Sequence, residues 1–203
     1  MIVLSRRVLL TGLALSGLAT KSNAQAAPEA QRVPIELVED TLDLGSAVRL
    51  GHARGDVIMV EYFDYNCPWC KRSAGDLPAL LKAEPDLTYV LVNFAVLGKP
   101  SVEATRAALG HLQVQGPEQY LPLHLALFSL RGVVNGAERL GGDRKRLIEA
   151  ADSDRTTQWM KDAFTLGNSL GLVATPSFLV ASDAYVGGMT LAQKREAIAK
   201  ARA

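Results

Sequence analysis

The chain has 203 residues, of which 48% are hydrophobic, and a formal net charge of +1 at pH 7. Its 22 basic and 21 acidic residues nearly balance, so it lacks the positive excess typical of nucleic-acid-binding proteins, and we expect no nucleic-acid partner. The length suffices for one domain with a substantial hydrophobic core.

The first residues are typical of an export signal. Arg6-Arg7 precedes an apolar run from Val8 to about Ala19, which is too short for an ordinary membrane span. Small residues follow, with cleavage expected near Ala24 or Ala26. We therefore predict a signal peptide over 1–26 and a mature domain over 27–203. The two arginines also fit a twin-arginine signal, and an uncleaved anchor is the alternative.

The first predicted elements lead up to a pair of cysteines. Residues 26–51 are polar and mixed, and we predict an irregular arm with a short strand around Val33–Leu37. Asp56–Tyr65 is a continuous apolar run, typical of a strand that is buried on both faces. A helix is predicted from Pro68 to about Ala83, and a second buried strand over Leu87–Val96.

The second half of the chain is predicted to be helical and then to end in a hairpin and a helix. Helices are predicted from Ser101 to about Gly171. Ser177–Ala181 and Tyr185–Gly187 form the predicted hairpin, and a capping box at Thr190 starts the last helix. This order predicts an α/β domain with βαβ and ββα halves and a helical insertion at about 101–171.

The only two cysteines, Cys67 and Cys70, lie within four residues of each other. A secreted protein that depends on disulfides for stability has cysteines spread along the chain, where they close long loops. A disulfide between Cys67 and Cys70 would cross-link nothing else. The pair is therefore predicted to serve reactivity rather than stability.

The position of Cys67 at the start of a predicted helix favours a thiolate, the nucleophilic form. The helix dipole alone lowers a thiol pKa by roughly one unit, so a larger shift needs N–H donors from Trp69 and Cys70 or a nearby cation. Lys71 is the nearest cation, but we interpret it as a solvated lysine. Cys67 is thus the predicted nucleophile, and the more sheltered Cys70 resolves the mixed disulfide.

Metal binding is the main alternative for the two thiols. A structural zinc site needs two more ligands, and the histidines at 52, 111 and 124 have no ligand spacing with the pair. Covalent haem attachment needs a histidine where Lys71 stands. We expect no metal or other cofactor. A Cu(I)-binding or copper-protective module that uses the same two thiols remains a second hypothesis, because Cu(I) prefers soft ligands.

Two further positions are candidates for the site. Glu61 is an acid within an apolar strand, and a buried carboxylate beside Cys70 could relay its proton. The alternative is that the side chain reaches solvent at the end of the strand. Thr175-Pro176 opens a predicted strand, where a proline can be an ordinary edge residue.

Three segments together resemble the DsbA-type family of periplasmic thioredoxin-fold proteins, and most closely the branch of the suppressor-of-copper-sensitivity protein ScsC. The segments are Glu61-Tyr62-Phe63-Asp64-Tyr65-Asn66-Cys67-Pro68-Trp69-Cys70-Lys71-Arg72, Val96-Leu97-Gly98 before Ser101-Val102-Glu103-Ala104, and Ala174-Thr175-Pro176-Ser177-Phe178. The resemblance covers the chain from about Val57 to Ala203 and implies a thioredoxin-like fold.

The resemblance also implies an activity: thiol:disulfide exchange, as isomerase or oxidase, on cysteine-containing exported proteins in the periplasm. It implies a membrane redox partner of DsbB or DsbD type. Pro176 is expected to be the cis-proline that faces the pair, with Thr175 beside it, and Glu61 matches the family's buried acid. The arm before Gly51 is short compared with the stalk of trimeric relatives, so we expect a monomer.

Overall fold

The computed structural model describes residues 26, 28–130 and 143–203. The predicted signal peptide therefore lies outside the described residues, apart from Ala26.

Six strands in the described residues form a single sheet in the order β1-β6-β5-β3-β4-β2. They are β1 (Ala30–Arg32), β2 (Val48–Gly51), β3 (Val57–Phe63), β4 (Leu87–Asn93), β5 (Ser177–Val180) and β6 (Asp183–Val186). The central strand β3 is parallel to β4 and antiparallel to β5. The parallel pair is joined by a helical crossover, and β5 and β6 form the predicted hairpin.

The described helices cover both faces of the sheet. They are α1 (Ile35–Leu42), α2 (Pro68–Ala83), α3 (Lys99–Gln115), α4 (Tyr120–Ser129), α5 (Arg144–Ala151), α6 (Asp154–Ser169) and α7 (Leu191–Arg202), with a 3₁₀ turn at Pro117–Gln119. Helices α3 to α6 lie between β4 and β5, and residues 131–142 of the predicted insertion lie outside the described residues. The predicted α/β order, with its βαβ and ββα halves and a helical insertion between them, is confirmed, and so is the capping box at Thr190.

The side chains of β3 alternate between two hydrophobic cores. Val57, Met59 and Phe63 point to the core that α2, α3, α4 and α7 cover. Val60 and Tyr62 point to the opposite core. Glu61 lies two residues from both Met59 and Phe63, so its side chain points to the same face of β3 as theirs. This is the face that carries α2 and α7.

The helical insertion packs closely where its helices cross. A Cβ at Gly110 of α3 would lie 2.7 Å from the backbone nitrogen of Ala151 in α5, which is shorter than real Cβ contacts. Glycine at this position therefore lets the two helix backbones approach each other. Leu123, Leu127 and Phe128 of α4 pack into the same core as α2. The insertion is thus part of the core beneath the cysteine pair.

The prediction for residues 26–51 was wrong. The strand lies at Ala30–Arg32, where it pairs with β6, and Ile35–Leu42 is a helix instead of the end of a strand. Pro34 separates the two elements, because a proline has no N–H for a sheet and is compatible with a helix start. The second half of the supposed arm contains β2, which pairs with β4 at the sheet edge. Among the described helices, none has the length and the hydropathy that a membrane crossing needs.

Candidate active site

Cys67 is the N-cap residue of α2. Strand β3 ends at Phe63, and the chain turns so that the Cys67 N–H donates to the carbonyl of Asp64 at 3.1 Å. Pro68 follows at the first helical position, where its missing N–H costs nothing. The Cys67 sulfur accepts a hydrogen bond from the backbone N–H of Cys70 at 3.4 Å. The sulfur therefore occupies the place of a capping oxygen at the positive end of the helix.

The surroundings of Cys67 lower its pKa from 9.0 to about 6. The largest cause is a hydrogen bond from the Cys70 thiol, and burial acts against it. The Thr175 side chain and the backbone N–H groups of Cys70 and Trp69 lower the pKa further. The helix dipole by itself accounts for roughly one unit, so these direct donors supply most of the shift. At neutral pH, Cys67 is mainly a thiolate.

Thr175 contacts the same sulfur from the opposite side. The Thr175–Pro176 peptide bond is cis, as the resemblance implied. The protonated Cys67 thiol donates to the Thr175 carbonyl oxygen at 3.1 Å. The Thr175 side chain also acts on the sulfur and helps to lower the Cys67 pKa. Thr175 thus lies beside Cys67 and is joined to Pro176 by the cis bond. That Pro176 faces the pair, and the catalytic roles of both residues, stay predictions.

Cys70 has the opposite electrostatic character. Its side chain is buried, and the Asp64 N–H lies 3.5 Å from its sulfur. Burial raises the Cys70 pKa well above 9.0, and the hydrogen bond to Cys67 and the negative charge of Glu61 raise it further. Cys70 therefore keeps its proton while Cys67 loses one. Both cysteines are free thiols in this structure.

Glu61 is buried, with 1% of its surface exposed. The alternative that its side chain reaches solvent is therefore wrong. Its Oε2 accepts a hydrogen bond from the Tyr89 hydroxyl at 2.5 Å, and its charge acts on both Cys70 and Tyr89. The negative charge of the predicted acid thus acts on the resolving thiol. Its relay role stays a prediction.

Asp64 is a site residue that the sequence analysis missed. Its buried carboxylate accepts hydrogen bonds from the backbone N–H groups of Asn66, Val96 and Leu97, at 2.8, 2.9 and 3.0 Å. It thereby ties the loop after β4 to the turn that carries Cys67. The signal available in the sequence was an aspartate at the end of an apolar run and just before the cysteine pair, which is an unusual place for a charge.

Lys194 was also missed. This lysine of α7 has no exposed surface, and its ammonium donates to the Ser73 hydroxyl of α2 at 2.6 Å. The ammonium also lies 5.1 Å from the centre of the Phe178 ring. The spacing of the last helix could have indicated its burial. Lys194 lies three and four residues before the buried Ala197 and Ile198, so all three share one face of the helix.

Lys71 and His124, which the sequence analysis also considered, have no contact with the two sulfurs among those described here. Lys71 is exposed and donates to the Leu130 carbonyl at 3.0 Å, in agreement with its interpretation as a solvated lysine. His124 is buried against Phe63 and Tyr65, and burial lowers its pKa to about 3. Within the described residues, no three His, Cys, Asp or Glu side chains come together as a metal site would require.

Apolar side chains are exposed on the three segments that carry Trp69, Leu97 and Val173. Trp69 is 41% exposed at the start of α2, Leu97 is 50% exposed in the loop that Asp64 holds, and Val173 is 88% exposed just before Thr175. Arg72 lies over the Trp69 ring, which packs so closely on Gly188 that a Cβ there would be 3.0 Å from it. Trp69 lies two residues after Cys67, the Leu97 N–H donates to Asp64, and Val173 lies two residues before Thr175, so we call these three exposed side chains the apolar rim of the candidate site.

A family model described as thioredoxin matches residues 44–200 of the chain. Among solved structures, a thioredoxin-like oxidoreductase from Silicibacter pomeroyi is similar at 31% sequence identity and a TM-score of 0.74. The match covers 81% of this chain and 96% of that one. The family match extends over β2 to β6, the cysteine pair and the helical insertion.

Two further structures agree in fold at lower identity. The thiol-disulfide exchange protein α-DsbA2 from Wolbachia pipientis is 22% identical, with a TM-score of 0.73, over 81% of this chain and 91% of that one. The catalytic domain of Proteus mirabilis ScsC is 19% identical, with a TM-score of 0.66, over 82% and 95%. The thioredoxin-like fold and the resemblance to DsbA-type and ScsC proteins are thereby confirmed. Among curated proteins, none matches the chain.

Proposed function

The chain belongs to the thioredoxin family, and from that premise we propose that it is an exported thiol:disulfide oxidoreductase that exchanges disulfides with other proteins through Cys67 and Cys70. One observation carries the proposal. Two thiols one helical turn apart have opposite pKa shifts, to about 6 for Cys67 and well above 9.0 for Cys70. Such a pair separates a nucleophile from a resolving thiol.

In the reducing direction, the Cys67 thiolate attacks a substrate disulfide. A bond forms between Cys67 and one substrate sulfur, and the other substrate sulfur leaves as a thiolate. Cys70 then gives its proton to Glu61 and attacks Cys67. The Cys67–Cys70 bond forms, the Cys67–substrate bond breaks, and the second substrate sulfur leaves with the electron pair. The substrate disulfide is reduced to two thiols and the pair is oxidised.

In the oxidising direction, the same steps run backwards. A substrate thiolate attacks Cys67 of the disulfide, and Cys70 leaves as a thiolate that takes a proton from Glu61. Cys70 is a poor leaving group unless it is protonated as it departs, because burial raises its pKa. A buried acid at position 61 thus serves both directions.

The balance between these directions depends on how strongly the Cys67 thiolate is stabilised. A thiolate with a pKa of about 6 is stabilised at neutral pH, which favours the reduced pair and makes the disulfide oxidising. The dipeptide Pro68-Trp69 has no histidine to add to this effect. We propose an intermediate potential, suited to both oxidation and isomerisation of disulfides.

The substrate class follows from the apolar rim of the candidate site. Trp69, Leu97 and Val173 are exposed, as expected of a surface that binds the apolar side chains of an extended or unfolded chain. We propose that the substrates are exported proteins with cysteines that are still accessible before folding. The N-terminal signal at 1–26, the mature domain at 27–203 and the periplasmic location are parts of this proposal. A membrane protein of DsbB or DsbD type would restore the redox state, and the chain would act as a monomer.

The Cu(I) hypothesis is the less favoured use of the same thiols. Both cysteines must lose their protons to bind a soft cation strongly, and burial makes Cys70 resist this.

Refolding of a scrambled protein tests the proposal. The reduced protein should restore activity to a ribonuclease with randomly paired disulfides, and the Cys67→Ala variant should not. A parallel titration with Cu(I) and a competing chelator should give no tight binding. Tight copper binding without any effect on the scrambled substrate would favour the copper module instead.

A further inference from the structure

The face of the sheet that carries Glu61 holds two buried charges, one from the strand and one from the last helix. Glu61 is 1% exposed and Lys194 0% exposed. An isolated ionised group in a protein interior is strongly disfavoured, and an opposite charge nearby relieves this cost. The electrostatic effect of Glu61 is felt at Lys194, where it raises the pKa against the larger effect of burial.

Two hydroxyl groups, those of Ser73 and Tyr89, connect the two charges. The Lys194 ammonium donates to the Ser73 hydroxyl at 2.6 Å. The Tyr89 hydroxyl donates to the Glu61 carboxylate at 2.5 Å. Burial raises the Tyr89 pKa, and the Ser73 side chain acts on the Tyr89 hydroxyl in the opposite direction. Each charge is therefore hydrogen-bonded to a hydroxyl, and the two hydroxyls influence each other.

Among the described residues, the other charged groups that act on Lys194 or Glu61 do not take the place of either residue. Asp76 and Cys70 of α2 also act on Lys194, but Asp76 is partly exposed and Cys70 keeps its proton. On the side of Glu61, the neighbouring titratable groups are Cys70 of α2 and Tyr89 of β4. Lys194 is therefore the positive charge that faces Glu61 among the described residues that act on it.

We propose that Lys194 is the buried counter-charge that keeps Glu61 ionised, through Ser73 and Tyr89, and so allows Glu61 to accept the proton of Cys70. The inference rests on the proposed disulfide exchange and adds a positioning residue to it, on a helix far from the cysteines in sequence. Without Lys194, Glu61 would be a lone buried negative charge, and burial would favour its neutral, protonated form. It could then take no proton from Cys70, and resolution of the mixed disulfide would slow.

A symmetrical aromatic disulfide, dithiobis(nitrobenzoate), separates the two steps in one experiment. Mixed with the reduced protein, it releases one coloured thiolate when Cys67 attacks and a second when Cys70 resolves the mixed disulfide. Stopped-flow absorbance gives both rates, and their pH profiles show which step depends on a buried acid. The first phase reports on the proposed exchange activity, and the second reports on Lys194.

In Lys194→Met, we expect the first phase to keep its rate. The second phase should slow by about tenfold. This is a partial loss of the rate enhancement of roughly 10²–10⁴-fold that general acid–base catalysis contributes. The fall of the second-phase rate toward acid should begin at a higher pH than in the unmodified protein. Combining Lys194→Met with Glu61→Gln should give no slower resolution than Glu61→Gln alone, because both changes remove the same base.

Lys200→Met is the matched control, since Lys200 is an exposed lysine of the same helix that bonds to Asp183. It should leave both phases unchanged. If Lys194→Met does not fold, Tyr89→Phe removes the hydroxyl that donates to Glu61 and should slow the second phase in the same way.

A normal first phase together with an unchanged second phase in these variants would overturn the role of Lys194 and leave disulfide exchange intact. Additive effects of Lys194→Met and Glu61→Gln would do the same. Absence of the first phase in the unmodified protein would instead contradict the proposed function itself.

Discussion

The sulfur of Cys67 and the backbone nitrogen of Cys70 lie 3.4 Å apart, with the N–H directed at the sulfur. One helical turn therefore brings the resolving cysteine and a donor for the thiolate into a single contact. A thiol at an N-cap accepts this bond best when it is ionised, because a hydrogen bond to a charged group is stronger than one to a neutral group. The same turn that fixes the spacing of the cysteines thus also activates the first of them.

The two cysteines should differ in alkylation rate and in pH dependence. The iodoacetamide rate at Cys67 should rise with pH up to its pKa of about 6 and level off above it, because only the thiolate reacts. Cys70 should remain almost unreactive throughout, since burial raises its pKa. Mass spectrometry of the reduced protein after short exposures measures both rates. Equal rates at the two positions would remove the assigned roles.

Thr175→Val should make the pair more reducing. The change removes a hydroxyl that helps to lower the Cys67 pKa, so the thiolate and with it the reduced state become less favourable. A hydrogen bond to a charged group contributes about 1.5–3 kcal/mol, which corresponds to a fall of about 30–60 mV in the reduction potential. Equilibration with glutathione buffers measures the potential. Thr165→Val, at an exposed position of α6, is the control and should leave it unchanged.

An unchanged potential in Thr175→Val would mean that the hydroxyl has no part in stabilising the thiolate. A rise in the potential would contradict the sign of the argument.

Asp64→Asn should destabilise the loop beside the active site. The buried carboxylate accepts three backbone N–H groups, and an amide replaces one of its acceptor oxygens with a donor. We expect a loss of about 2 kcal/mol in the free energy of unfolding, the size of one hydrogen bond to a charged group. Urea unfolding measures it. Asp40→Asn, on the exposed side of α1, should change stability by less than about 0.5 kcal/mol. Equal stability of the two variants would show that Asp64 is dispensable for the loop.

The parts of the fold that local patterns specify were predicted well. The apolar run before Cys67 predicted β3, the proline after it predicted the start of α2, and the spacing of Thr190 and Gln193 predicted the last helix. Each of these signals lies within a few residues of the element that it predicts. The helix at Ile35–Leu42 was missed because the polar residues around it obscure the apolar face, which is only half-buried against the sheet.

The supporting residues of the site could not be predicted in the same way. Asp64 acts on Val96 and Leu97, and Lys194 acts through Ser73 and Tyr89, so each contact joins segments that only the tertiary fold brings together. Glu61 was predicted because a carboxylate is unexpected within an apolar strand and is therefore easy to recognise in the sequence. Lys194 gave a weaker signal, because a lysine in a helix that also carries other lysines looks like an ordinary surface residue.

The formation of a mixed disulfide tests most directly whether Cys67 is the nucleophile of a disulfide exchange. The Cys70→Ala variant keeps the attacking thiolate but cannot resolve the intermediate, so it should accumulate a covalent complex with a disulfide-containing unfolded protein. Mass spectrometry should place the new bond at Cys67, and reductant should release it. The Cys67→Ala variant should form no such complex. If Cys70→Ala formed no complex, or if Cys67→Ala trapped substrate equally well through Cys70, the exchange mechanism would be contradicted.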